Sequence, residues 1–320
     1  MTPTIRPKRT LRSLRIQRLG AAAGLLILVA GFAIASPPFL GVNNLLNIAL
    51  QTSVIAIVAI GQTYVIVTGG IDLSVGAVAA LAGVITADAL KVGMPIPIAV
   101  LAGLIGGMIC GYINGALISY GQIPPFIVTL GMLGIARGAV LVMTNGVPVS
   151  GLPRSFAWFG NGTVLGIPVP VIIMVLLALL FGWILQKSRF GRTVFAVGSN
   201  EKAAFLSGLH VSRSTIGVYV VSGLLSAVAG IILTSRLVSA APTAGEGYEL
   251  DSIAATVIGG ASLSGGVGGI TGTLIGAFVM GVLRNGLNLL GVSYYWQQIA
   301  IGVVIVAAVF IDGLRRRRAA

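Results

Sequence analysis

The sequence predicts an all-α membrane protein: a polytopic transmembrane helix bundle of about ten spans, some broken or re-entrant, with both termini cytoplasmic. Three observations carry that reading. Of 320 residues, 56% are hydrophobic and 8% charged, with a mean hydropathy of +1.04; a soluble chain carries about 25% charged residues. Apolar segments recur at about 20–36, 45–68, 72–90, 96–119, 126–143, 168–186, 215–236, 250–262, 270–290 and 294–312, many near the ~20 residues that a straight span requires. Basic residues then cluster at the edges of these segments.

The net charge of +13 raises a nucleic-acid reading, which the placement of the charges argues against. Six basic residues lie between Arg6 and Arg18, five between Lys187 and Arg213, and four at Arg315–Arg318. With ten spans and a cytoplasmic start, all fifteen fall inside, against three outside (Lys91, Arg154 and Arg236). That split follows the positive-inside rule and reports topology, with membrane lipid and no nucleic acid as the expected surroundings. Residues 1–19 read as a basic cytoplasmic tail, 20–312 as the membrane domain with a cytoplasmic loop at 187–214, and 313–320 as a second basic tail.

The first apolar run, ending at Ala33-Ile-Ala35, has a signal-peptide flavour. Its length and the spans that follow favour an uncleaved first helix. One cysteine, Cys110, and one histidine, His210, exclude a disulfide framework and a multi-ligand Cys/His metal site. Cys110 reads as a packing residue. No phosphate-binding Gly-x-x-x-x-Gly-Lys-Ser/Thr loop, paired carboxylates or nucleophile elbow occurs, so neither catalytic nor metal residues are assigned.

Within the spans, "GGIDLSVG" (69–76) reads as a helix break: Gly69 and Gly70 end one helix and Asp72 caps the next. An intramembrane acid is alternatively an ion or proton site. The motif is echoed by "GGASLSGG" (259–266), identical at five of eight positions; Gly259 and Gly260 mark a second break of the kind that transporters duplicate. Gln62, Asn114, Thr129 and Asn288 are candidates for a pathway suited to a neutral, hydroxyl-rich solute, with helix–helix hydrogen bonding as the plain alternative. Arg284 reads as snorkelling at the outer end of its span, and Arg137 has no partner legible from sequence. Outside, 144–167 and 237–250 are the long loops. Glu246, Glu249 and Asp251, three of seven acids, lie in or beside the second. Tyr294-Tyr295-Trp296 reads as an interfacial anchor.

The charged island between Lys187 and Arg213 needs its own account. Ser199 or Asn200 can N-cap a short helix with Glu201 in its first turn, Ala203, Ala204 and Leu206 as its body and Gly208 as its stop. A helix of two turns does not persist alone in water, so it docks either on a partner or on its own bundle.

Together these stretches carry a family resemblance. "FGRTVFAVGSNEKAAFLSG" (190–208) resembles the coupling loop of ATP-binding-cassette importer permeases, with Glu201, Ala203, Ala204 and Gly208 in its Glu-Ala-Ala…Gly pattern and Lys202 inserted. "GQTYVIVTGGIDLSVGAV" (61–78), "INGALISYGQIPPFIVTLGM" (113–132) and "TVIGGASLSGGVGGITGT" (256–273) are similar to the ribose/xylose/galactoside class of sugar permeases. The resemblance implies a permease subunit of an importer for a ribose-, xylose- or galactose-like monosaccharide in the bacterial inner membrane, not itself an enzyme. It implies two cytoplasmic ATPase subunits, which bind ATP and Mg and dock at Arg192, Asn200, Glu201, Ala203, Ala204 and Gly208. It also implies a second permease copy or paralogue, and a periplasmic sugar-binding protein with Glu246 and Glu249 as docking candidates. The rival is an ATP-independent secondary carrier or channel, resting on Asp72; a structural scaffold gives no reason for the capped island.

Overall fold

Every one of the ten apolar segments folds as a helix. The computed structural model describes residues 8–317, and at 8–18, 294, 308–309 and 311–317 the backbone only. Arg6 and Arg318, counted in the basic clusters, lie outside the described residues. In chain order the elements are α1 (Lys8–Ala35), α2 (Val42–Val67), α3 (Val75–Lys91), α4 (Ile96–Ser119), α5 (Pro125–Thr144), β1 (Val149–Ser150), α6 (Trp158–Asn161), β2 (Thr163–Val164), β3 (Ile167–Pro168), α7 (Val169–Lys187), α8 (Arg189–Ser199), α9 (Glu201–Leu206), α10 (Val211–Leu237), β4 (Ser239–Ala240), α11 (Tyr248–Ile258), α12 (Ile270–Leu289) and α13 (Tyr294–Arg317). Prolines within the first two residues of α4, α5 and α7 start those helices where a missing N–H costs nothing.

Among the described residues, six helices are long and apolar enough to cross a membrane: α2, α4, α5, α7, α10 and α12. The apolar stretches of α1 and α13 are shorter, Leu19–Ala35 and Tyr295–Ala307. The helix α3 has 17 residues and α11 only 11. The expected boundaries at 19/20 and 312/313 are not breaks, because α1 and α13 run through them.

The core is built on α2 and α10. Every α2 residue from Thr52 to Val67 is buried. On α10, small residues let backbones meet: a Cβ on Gly107 would lie 2.5 Å from the Gly223 carbonyl oxygen, and one on Gly115 2.6 Å from Ile216 Cα. One on Gly230 would overlap the Ala79 carbonyl. Helices in lipid lack a hydrophobic drive toward each other, so such close approach supplies the contact. The far face of α4 (Ile98, Leu101, Ile105 and Ile109) stays exposed, as a lipid-facing stripe does.

The two long outer loops fold as one cap. β1 pairs antiparallel with β4, in the register Val149↔Ala240 and Ser150↔Ser239. Ser235 Oγ donates to the Phe156 carbonyl at 2.6 Å, and Asn161 Nδ2 to that of Arg236 at 2.9 Å. The loop is therefore fastened to the end of α10. Trp296 and Tyr295 are exposed, as expected of an anchor; the Tyr294 side chain lies outside the described residues.

Two membrane charges differ from expectation. Arg284 does not snorkel: its Nη2 donates to both oxygens of Asp251 at 2.9 and 2.8 Å, and Asp251 is buried. Sequence alone placed Asp251 beside a loop, but α11 carries it into the bundle. Arg137, for which no partner was legible, donates through Nη1 to the carbonyls of Pro242 and Ala244, fixing the descent from β4 to α11.

The ion pair gives a test of whether α11 is held by charge or by shape. Removing one partner of such a pair costs about 3–5 kcal/mol, whereas an apolar pair of like volume is often neutral. Asp251→Ala should therefore lower the thermal midpoint of the detergent-solubilised protein more than Asp251→Leu with Arg284→Met. An equal or larger drop in the double variant would contradict the pairing account.

Candidate functional site

Four helices converge on the seven residues between α2 and α3. At the end of α2, Gly70 N–H donates to Val65 O (3.0 Å) and Gly69 N–H to Ile66 O (2.9 Å), with Gly69 at φ +84°. This is a Schellman closure, and its left-handed residue favours glycine. Beyond it the chain has no regular secondary structure as far as Ser74. Its polar groups find partners around it. Gln62 of α2, its amide oriented to satisfy both contacts, accepts from Asp72 N–H at 3.2 Å and donates to Asp72 O at 3.3 Å. The proton of Thr129 Oγ1 on α5 is shared between Pro125 O at 2.9 Å and Ile71 O at 3.2 Å. Asn114 Nδ2 of α4 donates to Ser74 Oγ at 3.0 Å.

Asp72 is the knot. It is buried, and its Oδ1 accepts from Ser74 N–H (2.9 Å) and Ser74 Oγ (2.6 Å), its Oδ2 from Ser222 Oγ of α10 (2.7 Å). The expected helix cap is thus shifted: Ser74 holds the N-cap position of α3 with no capping bond from its side chain to the helix, and Asp72 closes the turn before it. Three of the four pathway candidates (Gln62, Asn114 and Thr129) clamp the break. Asn288 does not join them; it is exposed near the end of α12. Ser74 and Ser222 were missed from sequence, because a single serine in a span carries no signal of its own.

The second break repeats the closure. Gly260 N–H donates to Val257 O (2.9 Å) and Ala261 N–H to Thr256 O (3.1 Å), with Gly260 at φ +94°. Gly69 therefore corresponds to Gly260, one residue off the register in which the two motifs align by identity. Gly259 packs against Gly272 of α12, where a Cβ would overlap the backbone. The two breaks touch: Gly266 N–H donates to Val67 O at 2.8 Å.

Below the first break lies the island. Asn200 is the N-cap of α9, its Oδ1 accepting from Ala203 N–H at 3.0 Å, with Glu201 in the first turn. After α9, Gly208 N–H donates to Phe205 O at 2.9 Å, with φ +79°. The alanine pair splits. Ala203 is exposed, while Ala204 is buried against its own bundle, so one face of the helix is packed on the protein itself and the other is free. Leu206, expected in the body of this helix, and Phe205, which sequence reasoning passed over, are 84% and 70% exposed. Arg192 is also exposed and donates to Lys187 O at 3.1 Å.

Before α9 stands α8, an amphipathic helix that was not expected. Ser188 caps it by accepting from Gly191 N–H at 3.0 Å. Gly191, Val194 and Val197 face inward, and Phe190 stacks on Tyr64 with ring centroids 6.0 Å apart. The apolar spacing 190, 194, 197 was the available signal. A cleft of about 450 Å³ opens between the first break and α9, lined by Gly69, Gly70, Gln122, Glu201, Thr215 and Tyr219 among others. Glu246 is exposed, but Glu249 is half-buried in the first turn of α11 rather than in a loop.

The profile of a family described as "Branched-chain amino acid transport system / permease component" matches residues 44–309. A ribose import permease protein of Bacillus subtilis (strain 168) is 50% identical over 299 residues, 93% of this chain and 93% of that protein. One from Escherichia coli (strain K12) is 46% identical over 319 residues, 98% and 99% of the two. The D-allose transport system permease protein of Escherichia coli (strain K12) is 40% identical over 292 residues, 91% and 90%.

The geometry of Asp72 predicts unequal effects for two substitutions. Asp72→Asn keeps an acceptor for Ser74, and its amide can donate to Ser222 Oγ. Asp72→Ala strands three donors, which costs about 2–4 kcal/mol at roughly 0.5–1.5 per bond. The Asn variant should melt near wild type and the Ala variant well below it. Equal losses would show that the charge, not the hydrogen bonding, is what the break requires.

Proposed function

The chain belongs to the branched-chain amino acid transport system / permease component family, and on that premise we propose that it is the membrane permease subunit of an ATP-driven importer moving a monosaccharide across the bacterial inner membrane. The observation that carries this is the near full-length identity of 46–50% to ribose import permeases. At 40% to an allose permease, the comparison supports the monosaccharide class, with D-ribose the first sugar to test. The chain is a transporter rather than an enzyme.

The finer points are readings. Ten helices in place of ten segments support a ten-span topology with both termini inside, α3 and α11 being the short members that begin or end within the membrane. ATP and Mg belong to two cytoplasmic ATPase subunits, and α9 is where they dock. An apolar pair (Phe205 and Leu206) beside a charged one (Glu201 and Lys202) supports that, since interfaces favour an aromatic anchor with a polar rim. A second copy or a paralogue completes the pathway. We place it along α5, where a Cβ on Gly131, Gly134 or Gly138 would meet nothing within 4 Å and backbones can approach closely. A periplasmic sugar-binding protein docks on the cap, with Glu246 its exposed acid; half-buried Glu249 is the weaker candidate. An ion-driven carrier is not favoured, because its one candidate, Asp72, is committed to Ser74 and Ser222.

The docking reading makes α9 testable face by face. Leu206→Glu or Ala203→Trp, on the exposed face, should leave insertion intact while weakening ATPase retention at least tenfold, the scale of one or two interface anchors. Ala204→Trp should instead disturb the fold, since its site is already packed. Retention and uptake at wild-type levels in the exposed-face variants would remove α9 from the interface.

A further inference from the structure

We propose that Gly198 is a positioning residue for transport: at the end of α8 it seats the coupling segment in bare-backbone contact with both helix breaks, so that one displacement moves α3 and α12 together. The proposal rests on α9 as the ATPase dock and adds what lies behind it.

The contact is specific. Val67 O, at the C-terminus of α2, accepts from Gly266 N–H of the second break at 2.8 Å. Gly198 sits against that bond. A Cβ on it would overlap the Val67 carbonyl oxygen and lie 2.7 Å from Gly266 N. From the other side, a Cβ on Gly265 would lie 2.6 Å from Gly198 O, and one on Gly266 2.7 Å from Ser199 Oγ. Three segments far apart in sequence meet here, and at Gly198 they meet backbone to backbone.

Gly198 is not explained by its own helix. It lies inside α8, where intrinsic propensity favours alanine over glycine. The glycine is required by what crosses it. Close-packed contacts transmit displacement because they have no slack. Asn200 and α9 follow directly on Ser199, so a push on α9 arrives at this junction. From it the first break runs through Asp72 into α3, and the second through Ser262, whose N–H donates to Val267 O at 3.0 Å, into α12. One break cannot be moved here while the other stays in place.

The test uses the complete transporter in proteoliposomes with D-ribose as the transport probe. Gly198→Ala leaves the exposed face of α9 untouched. It should retain the ATPase at wild-type level, while uptake falls at least tenfold and ATP hydrolysed per sugar rises correspondingly. A glycine with a purely structural role would lower yield and melting temperature without changing that ratio, and that result overturns the proposal. Loss of ATPase retention together with uptake also overturns it, by placing Gly198 in the dock. A wild-type complex that retains no ATPase overturns dock and junction together. Should Gly198→Ala fail to fold, Ser199→Cys with Gly266→Cys in a Cys110→Ala background serves instead, Cys110 being the sole cysteine. A Cβ on Gly266 lies 3.4 Å from Ser199 Cβ, near the roughly 3.5–4.5 Å of a disulfide. Since the two sides move as one body, the cross-linked protein should keep its uptake; inactivation that reduction reverses would show that the two sides must part during transport and overturns the proposal.

Discussion

A peptide group inside a bilayer has no water to bond, and each one left unpaired costs several kcal/mol. A transporter nevertheless needs helices that stop inside the membrane. The 68–74 segment meets both demands at once. It leaves α2 through a glycine closure, side chains of α2 and α5 bond its backbone, and those of α4 and α10 hold the Ser74 hydroxyl and the Asp72 carboxylate. Asp72 ties these donors together by accepting from Ser74 and Ser222. The knot in turn depends on the packing of α10 against α3 and α4, because Ser222 is in reach only while Gly107, Gly223 and Gly230 let the backbones close up.

The same device appears twice, and the repetition organises the permease. Gly69 and Gly260 end their helices by identical hydrogen-bond patterns, and the two exits meet at the bond between Gly266 and Val67. The clamps differ: polar side chains hold the first break, while backbone contact of Gly259 with Gly272 holds much of the second. The charged island lies against this meeting point, which places the segment proposed to receive ATP-driven motion next to the segments able to redirect helices.

Much of this was legible in the sequence, for identifiable reasons. All ten helices were, since lipid forces long apolar runs, and so were the Gly69 break and the frame of α9 from Asn200 to Gly208, since caps need particular residue types. Partnerships across the bundle were not. Arg284 with Asp251, Asp72 with Ser222 and Arg137 with the carbonyls near Pro242 join residues far apart in the chain, and a lone polar residue in a span names no partner. Of the four polar residues offered as pathway candidates, Gln62 and Thr129 turn inward to hold backbone and Asn114 to hold the Ser74 hydroxyl. The amphipathic α8 was overlooked because its apolar positions 190, 194 and 197 are spread through a stretch whose charges drew the reading. The exposure of Phe205 and Leu206 was not legible either, since an apolar residue in a two-turn helix does not say whether it faces the bundle or away from it.

The central claim is that the first break is a locked element with satisfied backbone, not a flexible loop that happens to be buried. Amide hydrogen exchange of the reconstituted protein, resolved at Asp72 and Ser74, measures this directly. With their N–H groups bonded to Gln62 and to the Asp72 carboxylate, both should exchange on the slow timescale of the flanking α2 and α3 amides. Exchange as fast as that of the exposed Leu165–Gly166 turn would contradict the account.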